Sequence, residues 1–436
     1  MLRRIDQNEA MECGRRGAID ADAVAGAARI VADVRERGEA AVREQAERFG
    51  ERAEGAPLVL DRAAMEAALL SLEAETRGVL ERTAGRIEAF ARAQRDSITD
   101  LDVAIEGGRA GHTLVPIQAA GCYAPAGLHP LPSSALMGAI PARAAGCERV
   151  VVASPGASPV MLAAAALAGA DEFLAVGGAH SIASLAYGFD RFEPVDVIVG
   201  PGNAWVTAAK HLVSMDVGLD MLAGPSELLV IADDSADPAI VAADLLAQAE
   251  HDPRAAAMLV TTSASLADAV DAELARQLPE LETRDVARRG IANGFACVVD
   301  SIDAALRVAD AIAAEHVEVL TRGAEADASR LKHGGGVFIG PQSAEVFGDY
   351  GAGPNHTLPT GGGARWTAGL SVLDFLRART WLRMDAGGLA EGVRADAAAL
   401  AKIEGLNAHG RAAELRGQPL AGSTSNEETC RTTPGA

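Results

Sequence analysis

The stretch from Leu228 to Thr261 reads LLVIADDSADPAIVAADLLAQAEHDPRAAAMLVT and shows most clearly an alternation that recurs along much of the chain. It opens with an apolar, β-branched run, Leu228–Ala232, and closes with a second one, Ala257–Thr261. Between them, Pro238–Glu250 is rich in Ala and Leu and has the length of a short helix. A strand, a helix and a strand in this order predict a βαβ unit with two parallel strands.

The same alternation fills much of the chain, while its first part has helical periodicity over Val24–Phe49 and Arg62–Ala93. Further strands are predicted at Arg149–Ala153, Glu172–Val176, Val195–Val199, Ala296–Asp300 and Val337–Ile339. Further helices are predicted at Pro159–Leu167, Ala204–Leu212, Ser265–Leu278 and Ile302–Ala314. We therefore predict two incomplete Rossmann-like α/β domains with parallel sheets, at 111–234 and 235–375. They follow an N-terminal helical region (1–110) and precede a C-terminal helical extension (376–420) and a disordered polar tail (421–436).

Composition excludes several classes of function. The 436 residues carry a net charge of −21, which argues against nucleic acid or an anionic membrane surface as a partner. The first residues, MLRRIDQNEAMECG, lack the apolar segment of a secretory signal, and no apolar run approaches the ~20 residues that span a bilayer. The cysteines are odd in number and form no CxxC pair, which predicts free thiols in a cytoplasmic protein: Cys13, Cys122, Cys147, Cys297 and Cys430.

The segment Gly200-Pro201-Gly202-Asn203-Ala204-Trp205 follows a predicted strand and opens a predicted helix. A nucleotide-binding turn needs this setting, because glycines let backbone N–H groups approach a phosphate. Trp205 stands where the last glycine of that fingerprint would be, so a plain strand-to-helix turn is at least as compatible. No GxGxxG motif and no Gly-Lys dipeptide occur, which excludes a P-loop.

Three short segments could carry proton-transfer or metal chemistry. Gln248 and His251 end a predicted helix, and residues three apart share a helix face. Glu315 and His316 are expected to end another helix just before a strand edge. In Glu404-Gly405-Leu406-Asn407-Ala408-His409, Gly405 can end one helix and Asn407 can cap the next. Taken alone, each of these segments is more often structural than catalytic.

The loop Asp349-Tyr350-Gly351-Ala352-Gly353-Pro354-Asn355-His356-Thr357-Leu358-Pro359-Thr360 combines a carboxylate and an imidazole with many turn residues. Loops of this length inside a compact enzyme are usually functional or disordered. Ser226, in Ala223-Gly224-Pro225-Ser226-Glu227, is not followed by the glycine of a G-x-S-x-G elbow, which argues against a serine hydrolase.

Eight segments, in this order, resemble the histidinol dehydrogenase family. They are GCYAPAG, PSSALMGAIPARAAGC, VGPGNAWVTAAK, DMLAGPSELLVIAD, DLLAQAEHD, AEHVEVLT, FGDYGAGPNHTLPTGG and IEGLNAH, and they extend from Gly121 to His409. The resemblance implies an enzyme that oxidises L-histidinol through the aldehyde to L-histidine, the end of histidine biosynthesis, with two NAD+ and one Zn²⁺ per subunit. It also implies a homodimer.

The resemblance assigns roles by position. The implied zinc ligands are Gln248, His251, Asp349 and His409, and the implied acid–base pair is Glu315 and His316. The zinc ligands, His316 and three further residues form the implied substrate pocket, the further three being Ser226, His356 and Glu404. Tyr123, His180 and Asn203 match dinucleotide-contacting positions, although the family usually has Gln where this chain has His180. Glu404 and His409 are expected to reach the site of the partner subunit.

The residue types suit the implied chemistry. Zinc would position the substrate, His316 would take the alcohol proton, and Glu315, with a pKa raised by burial, would activate water for the second oxidation. One alternative is a paralogue that oxidises another polar alcohol, such as a sulfonated diol. A second is a metal-dependent hydrolase, which predicts no NAD dependence, and a third is a catalytically silent binding protein.

Overall fold

The computed structural model describes residues 2–13, 20–126, 130–385 and 389–416, so the tail predicted over 421–436 lies outside the described residues. The strands within these ranges are β1 (Arg3–Ile5), β2 (Val59–Asp61), β3 (Leu101–Ile105), β4 (Gly108–Pro116), β5 (Ala119–Tyr123), β6 (Arg149–Ala153), β7 (Glu172–Leu174), β8 (Val197–Val199), β9 (Gly218–Leu219), β10 (Glu227–Ala232), β11 (Ala256–Thr261), β12 (Phe295–Val298), β13 (His316–Leu320), β14 (Gly336–Ile339) and β15 (Leu376–Met384).

The helices show where the predicted boundaries hold and where they fail. They are α1 (Gln7–Glu12), α2 (Ala21–Arg37), α3 (Glu39–Arg48), α4 (Arg62–Ser71), α5 (Ala74–Asp96), α6 (Pro132–Ala145), α7 (Pro159–Leu167), α8 (Gly178–Tyr187), α9 (Ala204–Val213), α10 (Pro238–Ala249), α11 (Ala264–Gln277), α12 (Arg284–Asn293), α13 (Ile302–Ile312), α14 (Ala324–Ala328), α15 (Glu345–Asp349), α16 (Leu389–Ile403) and α17 (Asn407–Leu415). Each long N-terminal helical segment is in fact two helices. The first breaks at Gly38, whose φ of +57° ends α2, and the second at Leu72, which is extended.

The described residues divide into two compact units. The larger holds the chain up to Ser97 and from Pro116 to Leu376, and the smaller holds the remainder. The predicted domain boundaries at 110, 234 and 375 stay predictions.

The larger unit contains two six-stranded sheets with related strand orders. The first runs β2-β7-β6-β5-β8-β9, with β2 antiparallel and the other strands parallel. The second runs β1-β12-β11-β10-β13-β14 and is parallel throughout. Apart from the edge strand supplied by the N-terminal region, each sheet has its five consecutive strands in the order 3-2-1-4-5. This confirms the predicted pair of Rossmann-like α/β sheets.

The central strands are apolar because both sheet faces are covered. Every residue of β10 and β11 is buried, as expected for parallel strands with helices on both sides. Apolar residues of α10, α11 and α12 pack on one face of the second sheet, and those of α1 and α13 pack on the other. Each fully buried Val, Leu or Ile contributes roughly 1.5–3 kcal/mol. Among the described residues, no helix combines the length and apolarity needed to cross a bilayer.

The smaller unit corrects the prediction of purely helical N- and C-terminal regions. Strands β3 and β4 form an antiparallel pair within residues 101–116, and β15 adds a third strand to their sheet. These strands escape sequence analysis because β3 (LDVAI) has only five residues and, although four of them are apolar, none is buried. Helices α16 and α17 follow. Gly405 ends the first with φ +74°, as predicted, but Leu406 precedes α17, so Asn407 is its first residue and not its cap.

Candidate active site

A cavity of about 1190 Å³ opens in the larger unit, which exceeds the roughly 300–1,000 Å³ typical of small-molecule sites. The first sheet contributes residues that end or follow strands β5 to β8: Tyr123, Pro155, Gly178 and Pro201. The second sheet contributes residues that precede or begin strands β10 and β13: Ser226, Glu315 and His316. The carboxyl edge of one parallel sheet and the amino edge of the other therefore share one cavity.

A cluster with the composition of a metal site lies at the second sheet. His251 follows α10, and Asp349 is the last residue of α15. His251 Nε2 lies 3.2 Å from Asp349 Oδ2. His251 Nδ1 is 2.9 Å from the carbonyl oxygen of Ala247, to which it donates. Glu345, one helical turn before Asp349, completes a group whose ligand atoms lie within 4.8 Å of one another.

The electrostatics of the cluster favour a cation. Partial burial disfavours the imidazolium of His251, but the hydrogen bond to Asp349 and its charge outweigh this and raise the pKa of His251 to about 9. Burial alone would raise the pKa of Asp349, yet the hydrogen bond from His251 and the neighbouring imidazoles hold it below its ordinary value. Burial, together with Asp349 and other carboxyl groups, raises the pKa of Glu345 well above its ordinary value.

Gln248 is fully buried in the last turn of α10, beside this cluster. Its carboxamide lies 3.2 Å from His316 Nδ1. With its amide nitrogen on this side, Gln248 would donate to both carboxyl oxygens of Glu345, at 3.1 and 3.2 Å, and to His316 Nδ1 at 3.2 Å. With its amide oxygen there, it accepts from His316 Nδ1–H instead, so the orientation of the carboxamide is linked to the tautomer of His316.

His316 is the first residue of β13, 4% exposed, and its two ring nitrogens have different surroundings. Nδ1 is 3.3 Å from the carbonyl oxygen of Glu227 and can donate to it. Nε2 is buried without a hydrogen-bond partner among the described residues, and Asp349 Oδ1 is 3.8 Å away. Burial lowers the pKa of His316 to about 4, so its ring is neutral near pH 7. An Nδ1–H donated to Glu227 leaves Nε2 with an unused lone pair.

Glu315 is buried beside His316. Its Oε2 accepts a hydrogen bond of 2.9 Å from the backbone N–H of Glu227 and lies 3.8 Å from His316 Nδ1. Burial and the charges of Glu227 and Asp349 raise the pKa of Glu315 to about 8, against the lowering effect of that hydrogen bond. The sequence predicted that this pair ends a helix. Instead α13 ends at Ile312, and Glu315 lies in the connection to β13.

His356 connects the loop after α15 to α6. Its Nδ1 lies 3.0 Å from the carbonyl oxygen of Asp349, and its Nε2 lies 3.3 Å from Ser134 Oγ. Donation from Nδ1 to that carbonyl makes Nε2 the acceptor of the serine hydroxyl. Burial lowers the pKa of His356, which keeps this ring neutral. His356, Ser134 and Ser226 all line the cavity.

The Gly200–Asn203 turn forms the wall that the first sheet contributes, and it joins β8 to α9 as predicted. Gly200 has φ +109°, and a Cβ there would lie 2.0 Å from the carbonyl oxygen of Tyr123, so only glycine fits. The Oδ1 of Asn203 caps α9, accepting from the N–H groups of Trp205 (3.0 Å) and Val206 (3.2 Å).

A buried ion pair, Lys210 with Asp220, stabilises the backbone of this turn. Lys210 Nζ donates to the carbonyl oxygen of Gly200 at 3.0 Å and to the carboxylate of Asp220. The other carboxylate oxygen of Asp220 accepts from the N–H of Gly200 at 2.7 Å. The two side chains are 3% and 0% exposed, so the pair fixes the backbone of Gly200 without facing solvent.

Comparison with known proteins decides the family. The sequence profile described as histidinol dehydrogenase matches residues 14–417. The chain belongs to the histidinol dehydrogenase family. Histidinol dehydrogenase of Cereibacter sphaeroides is 45% identical over 92% of this chain and 93% of its own length. The enzyme of Thermobifida fusca is 44% identical over 89% of this chain and 90% of its own length.

A solved structure of the family has the same fold. The crystal structure of histidinol dehydrogenase from Elizabethkingia anophelis is 30% identical and superposes with a TM-score of 0.89. The match covers 95% of this chain and 98% of that one. The family predicted from the eight collinear segments is thereby confirmed.

Not all residues that the family resemblance pointed to lie in the larger unit. Gln248 lies beside the cluster and the others line the cavity: Tyr123, His180, Asn203, Ser226, His251, Glu315, His316, Asp349 and His356. Glu404 and His409 belong to the smaller unit, where both are exposed at the break between α16 and α17. Their part in the site stays a prediction, as do the individual roles of the other residues.

Sequence reasoning missed three acidic residues at or beside the cavity: Glu51, Glu345 and Glu227. Glu345 precedes Asp349 by four residues, a spacing that places both carboxyl groups on one helix face and could have revealed it. Glu227 approaches Glu315 only because β10 and β13 are neighbouring strands, for which the sequence gives no signal.

Proposed function

We propose that this chain oxidises L-histidinol through the aldehyde to L-histidine, with zinc and NAD+, as the last steps of histidine biosynthesis. One observation carries the proposal. The buried Nε2 of a neutral His316, which has no hydrogen-bond partner within the part of the chain that the structure describes, lies beside the His251–Asp349 cluster in a chain of the histidinol dehydrogenase family. A lone pair without a donor, next to donor atoms suited to a cation, is what deprotonation of a bound alcohol requires.

Zinc fits the residues at this site. An imidazole, a carboxylate and a carboxamide oxygen would come from His251, Asp349 and Gln248, and we propose that His409 of a second subunit adds another imidazole. When bound, Zn²⁺ would supply a template that holds the substrate and neutralises the carboxylates. This fit is judged from the donor atoms. Two buried carboxyl groups, of Glu345 and Asp349, lie close to the imidazole of His251, and together they form a negatively charged group of ligand atoms that suits a cation.

We propose that His316 removes the hydroxyl proton of histidinol. Its Nε2 lone pair is available when Nδ1 donates to the carbonyl oxygen of Glu227. The low pKa of about 4 keeps the ring neutral over the working range of a cytoplasmic enzyme. The carbonyl of Glu227 also fixes the orientation of the ring, so that the basic nitrogen stays on the cavity side.

Glu315 is proposed to act in the second oxidation. A pKa of about 8 lets the carboxyl group exchange a proton with water near neutral pH. As a carboxylate it can activate the water that adds to the aldehyde, and its fixed hydrogen bond from Glu227 holds it in place. His316 and Glu315 thus serve successive half-reactions without release of the aldehyde.

The first sheet is proposed to bind NAD+, which would accept a hydride in each half-reaction. Tyr123, His180 and Asn203 line that part of the cavity. The hydroxyl oxygen of Tyr123 accepts from the N–H of Gly178 at 3.1 Å, so its own proton is directed elsewhere. The Oδ1 of Asn203 caps α9, so its NH₂ group would make any contact with the dinucleotide. We further propose a homodimer in which Glu404 and His409 complete the partner's site.

Counting the NADH formed from a known amount of L-histidinol tests the proposal. Two NADH per histidinol, with histidine as the product and with activity lost to a chelator and restored by Zn²⁺, are the expected result. One NADH per substrate would instead support a simple alcohol dehydrogenase. Turnover of another polar alcohol in place of histidinol would support a paralogue, and turnover without NAD+ would support a hydrolase.

A further inference from the structure

We propose that Glu51 is a positioning residue for the dinucleotide. It holds the ring of His180 in the orientation and tautomer in which Nδ1 accepts a hydrogen bond from a ribose hydroxyl. The inference rests on the proposed function, because it takes the ligand to be NAD+. Glu51 follows α3 and lines the cavity, although it is 129 residues from His180 in sequence.

The contact between the two side chains is direct and enclosed. Glu51 Oε2 lies 2.9 Å from His180 Nε2 and accepts from the backbone N–H of Gly177 at 3.1 Å. The side chains of His180 and Glu51 are 1% and 12% exposed. The carboxylate is therefore anchored to the start of α8, the helix that carries His180.

The surroundings prevent the pair from rearranging freely. The ring of Phe49 is nearly parallel to that of His180, with an angle of 11° and a centroid separation of 6.0 Å. Glu51 Oε1 packs against Gly177, where an added Cβ would lie 2.9 Å from it. The Pro155 ring leaves no space there either, with Cγ 2.3 Å from the same point.

The other ring nitrogen lacks a partner. His180 Nδ1 is buried and makes no hydrogen bond among the described residues. With the carboxylate accepting the Nε2–H of a neutral ring, Nδ1 would carry a lone pair and need a donor. It lies on the side of Gly178, whose added Cβ would be 3.6 Å from it, and both residues line the cavity. A sugar hydroxyl can donate there, whereas a phosphate monoester offers mainly acceptors.

The test measures binding of NADH to the purified full-length protein by fluorescence titration. Glu51→Met keeps the length of the side chain but removes the acceptor. It should weaken NADH binding about tenfold, equivalent to about 1.4 kcal/mol, and raise KM for NAD+ similarly, with a smaller change in kcat. Glu51→Gln retains an oxygen that accepts the Nε2–H and should stay within about threefold of wild type. The control, Glu54→Gln, removes an exposed acid nearby and should change nothing.

A double-mutant cycle separates positioning of the ring from general support of the fold. With His180→Phe no Nδ1 remains to be oriented, so adding Glu51→Met should cost less than about twofold. An equal loss in both backgrounds, or wild-type NADH binding by Glu51→Met, would overturn the inference alone. Wild-type protein that fails to bind NADH would overturn the proposed function with it. If Glu51→Met does not fold, Glu51→Ala replaces it in the same cycle, and the same comparison of NADH binding applies.

Discussion

The two six-stranded sheets of the larger unit share a strand order but present opposite edges to the cavity. The first sheet presents its carboxyl edge, where the chain enters α8 at Gly178 and passes from β8 through Gly200 into α9. The second presents its amino edge, where Glu315 and His316 lead into β13 and α10 ends at Gln248 and His251. The first sheet therefore brings two helix starts to the cavity, and the second brings a cluster of carboxyl and imidazole groups.

The difference has consequences for charge. Helix starts favour anions, so the carboxyl edge suits the phosphates of a dinucleotide. Helix ends favour cations, and the end of α10 carries His251 with a pKa raised to about 9. We expect substitutions at the second sheet to affect chemistry and those at the first to affect cofactor binding or stability.

Replacing His316 with Ala should have the largest effect. Loss of a general base lowers kcat by roughly 10²–10⁴-fold, because no other unpartnered nitrogen is positioned beside Asp349 among the described residues. Steady-state kinetics with histidinol measure the loss. The control is His211→Ala, an exposed histidine of α9 in the first sheet's half, which should stay within about twofold of wild type. Near-normal turnover by His316→Ala would contradict the proposal that a residue of the second sheet is the general base.

Lys210→Met should instead affect stability. It leaves the carboxylate of Asp220 buried without its cation, and breaking a buried ion pair costs about 3–5 kcal/mol. Chemical denaturation of wild type and variant measures the difference. The double variant Lys210→Met with Asp220→Leu removes both charges and should recover part of the loss. A change in kcat alone, with the free energy of unfolding unaltered, would contradict the conclusion that the Lys210–Asp220 pair stabilises the fold.

Glu315→Gln should separate the two half-reactions. The amide cannot activate water, so the ratio of NADH to histidinol should fall from two towards one, with oxidation of the aldehyde slowed by about 10²-fold. Single-turnover measurement with each substrate distinguishes the steps. Equal slowing of both steps would show that Glu315 does not act selectively in the second.

The pH dependence of aldehyde oxidation should follow the same residue. The pKa of Glu315 is raised to about 8, so below that pH the carboxyl group is protonated and cannot act as a base. The rate should therefore rise about tenfold per pH unit and level off above about pH 8. Since the pKa of His316 is about 4, its protonation should not limit the first oxidation above about pH 5. A rate of aldehyde oxidation that is flat from pH 6 to 9 would contradict this.

Asn203→Ala should have the smallest effect, and together with Asn203→Asp it separates stability from cofactor binding at the first sheet. Loss of the cap of α9 costs about 0.5–2 kcal/mol of stability. Asn203→Asp keeps the cap and should retain stability but weaken NAD+ binding, since it removes the NH₂ group. Thermal unfolding and KM for NAD+ measure the two effects separately. Unchanged KM in Asn203→Asp would exclude a role in binding the dinucleotide.

The central strands could be predicted from sequence because burial on both faces gives continuous apolar runs, as in Leu228–Ala232. Short strands such as β9, with two residues, and β3, whose apolar residues are all exposed, give no comparable signal and were missed. The break at Gly38 was also missed, because the apolar spacing continues across it.

The candidate site was predicted mainly through the family resemblance. Local spacing explains only part of it, such as Gln248 and His251 at one helix end. The contact between Glu51 and His180 joins residues 129 positions apart, and the hydrogen bond from Glu227 to Glu315 spans 88. Such contacts depend on the order of strands in the sheets, which local patterns do not encode.

Anomalous diffraction at the zinc edge, from crystals of active protein, would show whether zinc binds beside His251 and Asp349. We predict one zinc peak per subunit at the amino edge of the second sheet, with His251 Nε2 and an Asp349 oxygen at about 2.0–2.2 Å. The Gln248 oxygen should face the ion, and His316 Nε2 should lie near it without coordinating. Fully active crystals with no peak at His251 and Asp349, or with zinc bound elsewhere, would contradict the account.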